Sequence, residues 1–263
     1  MKNKTFYEKH INFAQRNRSE YYISPGIKCK FDLIIENVGS SRTFSNALDL
    51  GSSGNSILYF IDNIKHKSYF DIALLPLRQY RRFKLFSGDR VEKVDNSHPL
   101  CGDITKLPYR DTSFDFISAL DVLEHVKDHK IAISEISRVL KKGAIGIITV
   151  PHRMKYYTGQ DRLIGHYRRY EIEELIEILE KSNLKVLNVF GVYGRLMRVA
   201  DIQSSDPQKV EKTISNLRKM FISNLTFRKV WSIIVFFISK IMKMDAKYTP
   251  IKQIMNIAIL FKK

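Results

Sequence analysis

The sequence predicts an α/β protein built on a doubly wound, mostly parallel sheet, and three observations carry that reading. From residue 46 onward, short apolar runs of strand length alternate with segments of helical period. The first of these runs, Ala47-Leu48-Asp49-Leu50, contains an acid and passes into a tight turn of small residues, Gly51-Ser52-Ser53-Gly54-Asn55. A second acid, Asp71, follows 22 residues after Asp49 at the end of the next apolar run. Small residues let backbone approach a ligand closely, and the later carboxylate can accept two hydrogen bonds from a ribose diol. The layout is that of a nucleotide-cradling site.

Taken in order, residues 5–38 read as helical with a break at Ser24-Pro25-Gly26, after which Phe31, Ile34, Ile35 and Val38 share one helix face. Residues 47–50, 68–73 and 114–120 read as strands, the last apolar nearly throughout, as a strand buried on both faces should be. Between 122 and 140, Val122, Leu123, Val126, Ile133, Ile136, Val139 and Leu140 recur at roughly helical spacing, and Lys141-Lys142-Gly143 supplies a helix stop. Residues 144–150 form a strand closed by Pro151, residues 171–182 an amphipathic helix, and residues 184–190 a further strand. Two apolar runs follow. Residues 230–239 are bracketed by Arg228, Lys229, Lys240 and Lys243, and residues 254–261 end in Lys262-Lys263. Neither approaches the ~18 residues needed to span a bilayer. Both are expected to be helices, lying in a membrane interface or packed onto the domain; packing is the commoner outcome for a soluble enzyme. The expected division is a helical cap over 1–40, a core over 41–195, and a basic, apolar helical addition over 196–263.

At 44% hydrophobic and 27% charged residues, the composition is that of a folded protein. Two cysteines, Cys29 and Cys101, give neither a disulfide framework nor zinc-ligand spacing, so a reducing compartment is expected. The first residues lack the apolar stretch of a secretory signal. The expected location is therefore the cytoplasm, with peripheral membrane attachment as an addition. The net charge of +17 is unevenly spread: residues 101–150 balance at 7 basic against 7 acidic, whereas residues 201–263 carry 12 against 4. Such a surplus suits anionic lipid, nucleic acid or an acidic substrate; a merely solvated basic surface is the alternative.

The segments 47–55, Tyr69-Phe70-Asp71-Ile72-Ala73, Gly102-Asp103-Ile104, Leu107-Pro108-Tyr109, residues 113–126 with Leu123-Glu124-His125, and Ser137–Gly143 before a closing strand form an ordered series. Over residues 45–190 this series resembles the class I S-adenosylmethionine-dependent methyltransferases, and most of all the type 11-like group that includes the quinone C-methyltransferases. The resemblance implies a Rossmann-like, seven-stranded sheet and S-adenosyl-L-methionine as cofactor. It implies that Asp49, Gly51, Ser53 and Gly54 lie against the methionine moiety. Asp71 with Ile72 would meet the ribose, Asp103 with Ile104 the adenine, and Leu120 the sulfonium. The family's loop has glycine where this chain has Ser53 and Asn55; Asn tolerates left-handed geometry, and Gly54 can shift the turn by one place. A dinucleotide fingerprint is absent, because Gly51-Ser52-Ser53-Gly54 lacks Gly-x-Gly-x-x-Gly.

Methyl transfer draws most of its rate from alignment and desolvation, yet an acceptor hydroxyl or acidic carbon benefits from a base. The candidates are Asp121, His125, His152 and His166, with a packing or capping role as the alternative for His125. Gly165-His166-Tyr167-Arg168-Arg169-Tyr170 resembles a segment that covers the active site in the same family. Arg168 and Arg169 could grip an anionic or sugar-like acceptor, or pair with Glu173 and Glu174. The expected acceptor is a small-molecule, lipid-linked or glycan-type compound, and the expected partner is an anionic membrane surface reached through residues 225–263. The rivals are an RNA methyltransferase and a non-catalytic Rossmann-like binding protein in a membrane-associated assembly. Nucleic acid is the weaker partner, since the aromatics of the tail cluster apart from its Lys and Arg. The sequence is silent on oligomeric state.

Overall fold

A computed structural model describes residues 18–39, 41–81, 96–196 and 207–263. The expected helix over residues 5–17 lies outside the described residues. Seven strands form one sheet in the order β3-β2-β1-β4-β5-β7-β6. They are β1 (Phe44–Leu50), β2 (Ile64–Asp71), β3 (Ser97–Cys101), β4 (Phe114–Leu120), β5 (Leu140–Pro151), β6 (Lys185–Tyr193) and β7 (Asn256–Lys262). The pairs among β1 to β5 are parallel, while β7 runs antiparallel to both β5 and β6. Parallel strands need crossover connections, and the order reverses at β1 and β4, which makes the carboxyl ends of these strands the topological switch point.

Because strands alternate faces, each central strand feeds two apolar layers. Leu48, Leu50, Ile117, Ala119, Ile148, Val150, Ile257, Ile259 and Phe261 fill one layer beneath α4 (His129–Val139) and α6 (Ile172–Lys181). Phe116, Ile145, Ile147, Ala258 and Leu260 face the other, where α2 (Pro25–Val38) brings Phe31, Ile34 and Val38. Helix α2 starts on a Ser24 cap with Pro25 in its first turn and follows the short α1 (Glu20–Ile23). The expected break at Ser24–Gly26 is therefore a helix start. The remaining helices are α3 (Leu74–Leu77), α5 (Gly159–Ile164), α7 (Pro207–Ser223) and α8 (Leu225–Tyr248).

Two expectations change. The run at 254–261 is not a helix: it forms β7, buried on both faces between β5 and β6. The last strand therefore belongs to the core, and residues 256–262 offer no face to a membrane. The run at 230–239 is the middle of α8, a 24-residue helix meeting α7 at a 120° bend. Val235 and Ala246 are buried on its inner side, and the Trp231 indole donates to the Ile23 carbonyl at 3.1 Å. Lys243 pairs with Glu36, and Arg218 of α7 pairs with Glu20. Among the described residues, no single helix is long and apolar enough to cross a membrane.

Candidate cofactor and acceptor site

The carboxyl ends of β1, β2 and β4 are adjacent in the sheet, and the loop after β1 turns over them. Asp49 sits opposite Ser118 of β4, whose hydroxyl donates to Asp49 Oδ1 at 2.6 Å. Burial pushes the Asp49 carboxyl up to about 7; hydrogen bonds from Ser118 and Ser56 pull the other way, and the charge of Asp71 adds a little. Gly51 has φ of +67°, and a Cβ there would lie 2.3 Å from Val122 Cγ2, so both conformation and space demand glycine. The left-handed turn continues through Ser53 (φ 38°) and Gly54 (φ 82°). Asn55 is not among the left-handed residues, so the strain falls on Ser53 instead.

Asp71 compensates for that strain. Its Oδ2 accepts the Ser53 amide at 3.0 Å and its Oδ1 the Ala73 amide at 2.8 Å, fastening the first loop to the end of β2. Burial raises its carboxyl above the ordinary range, opposed by these amides. Underneath, the Tyr80 hydroxyl donates to the Ser52 carbonyl at 3.1 Å, and its ring stacks on Tyr69 at 3.8 Å. Ser52 Oγ and Asn55 Oδ1 are buried in this loop and make no hydrogen bond among the described residues. A buried hydroxyl and a buried amide oxygen without partners call for polar groups from a ligand or solvent at this loop.

Asp103 follows β3, where its Oδ1 accepts the Thr105 amide and hydroxyl, both at 2.8 Å. The Gly102 amide donates to the Asp71 carbonyl at 3.0 Å, so the second and third acids are tied through backbone. Ile104 points into the core, whereas Ile72 and Leu74 expose apolar side chains beside Asp71. Arg138 of α4 clamps the segment after Asp103: it donates to the carbonyls of Leu107 and Tyr109 at 2.9 and 2.8 Å and pairs with Glu135 and Asp111. Leu120 ends β4 half-buried.

Past Leu120 lies Asp121, the first of the candidate bases. Asp121 adopts φ of 54° and its carboxylate is fully occupied. Lys30 of α2 pairs with Oδ2, while Thr149 and Asn256 donate to Oδ1 at 2.9 and 2.8 Å. The lysine and these donors outweigh burial and hold the carboxyl down at about 2, too weakly basic for a proton acceptor near neutral pH. His152 is buried at the end of β5 with Nδ1 3.2 Å from the Ile254 carbonyl, and burial lowers its pKa. The rings of His125 and His166 lie together, 4.5 Å apart at 76°.

The expected grip of Arg168 and Arg169 also gives way, as does pairing with Glu173 and Glu174. Arg168 donates to the carbonyls of Val126 and Lys127 at 2.6 and 2.9 Å. Arg169 is buried and pairs with Asp161 of α5 at 2.8 Å, and that same carboxylate meets His166 Nδ1 at 2.7 Å. These contacts, with the Tyr167 amide on the Glu124 carbonyl at 2.8 Å, stitch residues 166–170 along residues 123–127. Lys30, Thr149, Asn256 and Asp161 are residues around this site that sequence reasoning passed over, while Ser118 and Glu124 stood inside the noticed segment 113–126 with no role assigned. Arg138 stood inside a noticed segment without a role.

The methyltransferase-domain family profile matches residues 48–148, from β1 into β5. A protein of Mycolicibacterium smegmatis described as a probable S-adenosylmethionine-dependent methyltransferase is 32% identical over 106 residues, 40% of each chain. A demethylmenaquinone methyltransferase of Staphylococcus haemolyticus is 35% identical over 57 residues, 22% of this chain and 24% of its own. The aligned stretches thus span less than half the length of either relative. In fold, the chain is similar to phosphoethanolamine N-methyltransferase 2 of Haemonchus contortus in complex with S-adenosyl-L-methionine. The TM-score is 0.62 at 18% identity, covering 99% of this chain and 60% of that one. With sheet order and sequence matches in agreement, residues 48–148 match a methyltransferase domain, set on a Rossmann-like, seven-stranded sheet.

Proposed function

We propose that this protein transfers a methyl group from S-adenosyl-L-methionine to an acceptor presented at an anionic membrane surface. The observation that carries the first half is the loop of Gly51–Asn55 sewn to Asp71, with two orphaned buried polar atoms inside it. The residues present fit the cofactor. Asp49 and Asn55 Oδ1 suit its ammonium, Ser52 Oγ and the loop amides its carboxylate, Asp71 its ribose, and Asp103 with exposed Ile72 its adenine. When bound, the cofactor supplies a methyl group already activated on a sulfonium. The protein's work is then to hold both reactants in line and exclude water, using the rigid ends of β1, β2 and β4. Replacing Asp71 with Ala removes the ribose acceptor and releases Ser53. Affinity for S-adenosylhomocysteine, read by calorimetry, should fall at least tenfold; unchanged affinity would show that the loop is not the cofactor's cradle.

The acceptor reading rests on α8. Ile233, Phe237, Ile241, Met244 and Tyr248 share its outer face, opposite buried Val235 and Ala246, and Ile233, Phe237 and Met244 are 58–59% exposed. At 100° per residue they fall within a sector of about 80°. Lys229, Lys240 and Lys247 line one flank of that stripe. Long apolar side chains bordered by lysines suit an anionic bilayer interface better than an aqueous one. The face is an isolated apolar stripe rather than a stacking platform, which disfavours RNA. Vesicles of phosphatidylglycerol and phosphatidylcholine should float the protein at low salt. Phe237→Glu with Ile241→Glu should abolish flotation while leaving the melting temperature unchanged, and a wild-type protein that stays unbound would remove the membrane half of the proposal.

A further inference from the structure

We propose that Glu124, His125 and His166 form a binding site for one divalent transition-metal ion. One candidate ligand atom from each residue lies within 4.8 Å of the other two. Glu124 follows β4 on the turn Leu123–His125; its side chain is 1% exposed, and neither carboxylate oxygen has a hydrogen-bond partner among the described residues. A buried carboxylate without a donor is costly, so such a group marks a position meant for a cation. Among the described residues, the cationic partner within 4 Å of this carboxylate is His166 Nε2, 3.9 Å from Oε1 and too far for a hydrogen bond.

The surroundings of His166 are those that metal-binding histidines use. Its other nitrogen, Nδ1, meets Asp161 Oδ1 at 2.7 Å, which fixes the tautomer and aims Nε2 at Glu124. Asp161 is itself held by Arg169 and by the Thr158 amide at 2.7 Å. The two backbone segments that carry the ligands are joined by the Tyr167 amide on the Glu124 carbonyl and by the Tyr170 hydroxyl on the Leu123 carbonyl at 3.1 Å. Two imidazoles and a carboxylate suit zinc or iron(II), whose bonds of about 2.0–2.2 Å require the ligand atoms to close by roughly 1 Å. His125 and His166 are each partly open to solvent, leaving room for further ligands on that side.

Such an ion would sit directly after the end of β4, with positions free for an acceptor oxygen. An oxygen bound there is a stronger acid, which would meet the need for proton loss that Asp121, committed to Lys30, cannot serve. That role rests on the methyl-transfer reading; metal binding itself does not. The test therefore uses Zn²⁺ calorimetry on chelator-treated full-length protein and Co²⁺ visible absorption, with S-adenosylhomocysteine affinity measured separately on every variant. One saturable ion per chain is expected. Glu124→Gln and His166→Gln should each weaken it at least tenfold while cofactor affinity and far-ultraviolet circular dichroism persist. His66→Ala with His98→Ala, whose rings lie 6.0 Å apart on β2 and β3, should change nothing. Absence of saturable binding, binding indifferent to Glu124→Gln and His166→Gln, or binding lost with His66 and His98 would each overturn the site.

Discussion

Replacing Asp49 with Asn should make the protein more stable and a poorer binder, and the size of both effects follows from where Asp49 sits. Its carboxyl is buried at the end of β1 and is pushed from 3.8 up to about 7. A native value above the unfolded one means that the folded state holds the proton more tightly. The residue therefore costs nothing below about pH 4; a penalty grows between about 4 and 7 and is complete above 7. Three units at 1.36 kcal/mol each amount to roughly 4 kcal/mol at pH 8. Asparagine is close in shape, keeps an oxygen for the Ser118 hydroxyl and never ionises. At about 2–4 °C per kcal/mol for a chain of this size, the variant should melt roughly 8–16 °C higher at pH 8 and no higher at pH 4. Binding should change in the opposite sense. A ligand ammonium favours the ionised form, so wild-type affinity for S-adenosylhomocysteine should climb about tenfold per pH unit up to about 7 and then level off, a dependence the variant lacks. Differential scanning calorimetry and titration calorimetry across pH 5–8.5 read both. Equal melting temperatures at pH 8 would refute the burial penalty, and a flat wild-type binding profile would refute the role of the ionised carboxylate.

Gly51→Ala combines a left-handed backbone with a Cβ placed 2.3 Å from Val122, so it should cost about 2–4 kcal/mol in urea unfolding. Adding Val122→Ala should recover the steric part and leave about 1–2 kcal/mol of backbone cost. Lys30→Met leaves Asp121 with only neutral donors and should cost about 2 kcal/mol near neutral pH. Because Asp121 is held down at about 2, its contribution is present above about pH 4 and lost as pH falls toward 2, so variant and wild type should converge there in urea titrations.

The legible parts of the fold were those in which burial writes itself into adjacent residues. β4 was readable residue for residue because both of its faces are covered, and α6 because only one of its faces is. β7 is spelled in the same apolar letters as a short buried helix, and periodicity cannot separate the two over seven residues. Its place between β5 and β6 depends on chain that returns from far away in sequence. β3 was invisible because Ser-His-Pro-Leu-Cys forms an edge strand, half exposed and interrupted by proline. Asp49, Asp71 and Asp103 could be found because each ends or follows a strand in the ordered series. The groups that set their chemistry could not. Ser118 reaches Asp49 across 69 residues, Lys30 reaches Asp121 across 91, and Asn256 reaches it across 135. No local pattern records such partners, and so the ion pair of Asp121 with Lys30 could not be read from the sequence.

The most direct measurement of the central claim is titration calorimetry of the full-length wild-type protein with S-adenosylhomocysteine at pH 8. The loop of Gly51–Asn55, fastened by Asp71 with Asp49 buried at the end of β1, predicts saturable binding of one ligand per chain together with a raised melting temperature. A folded protein that shows no saturable heat at millimolar ligand would contradict it.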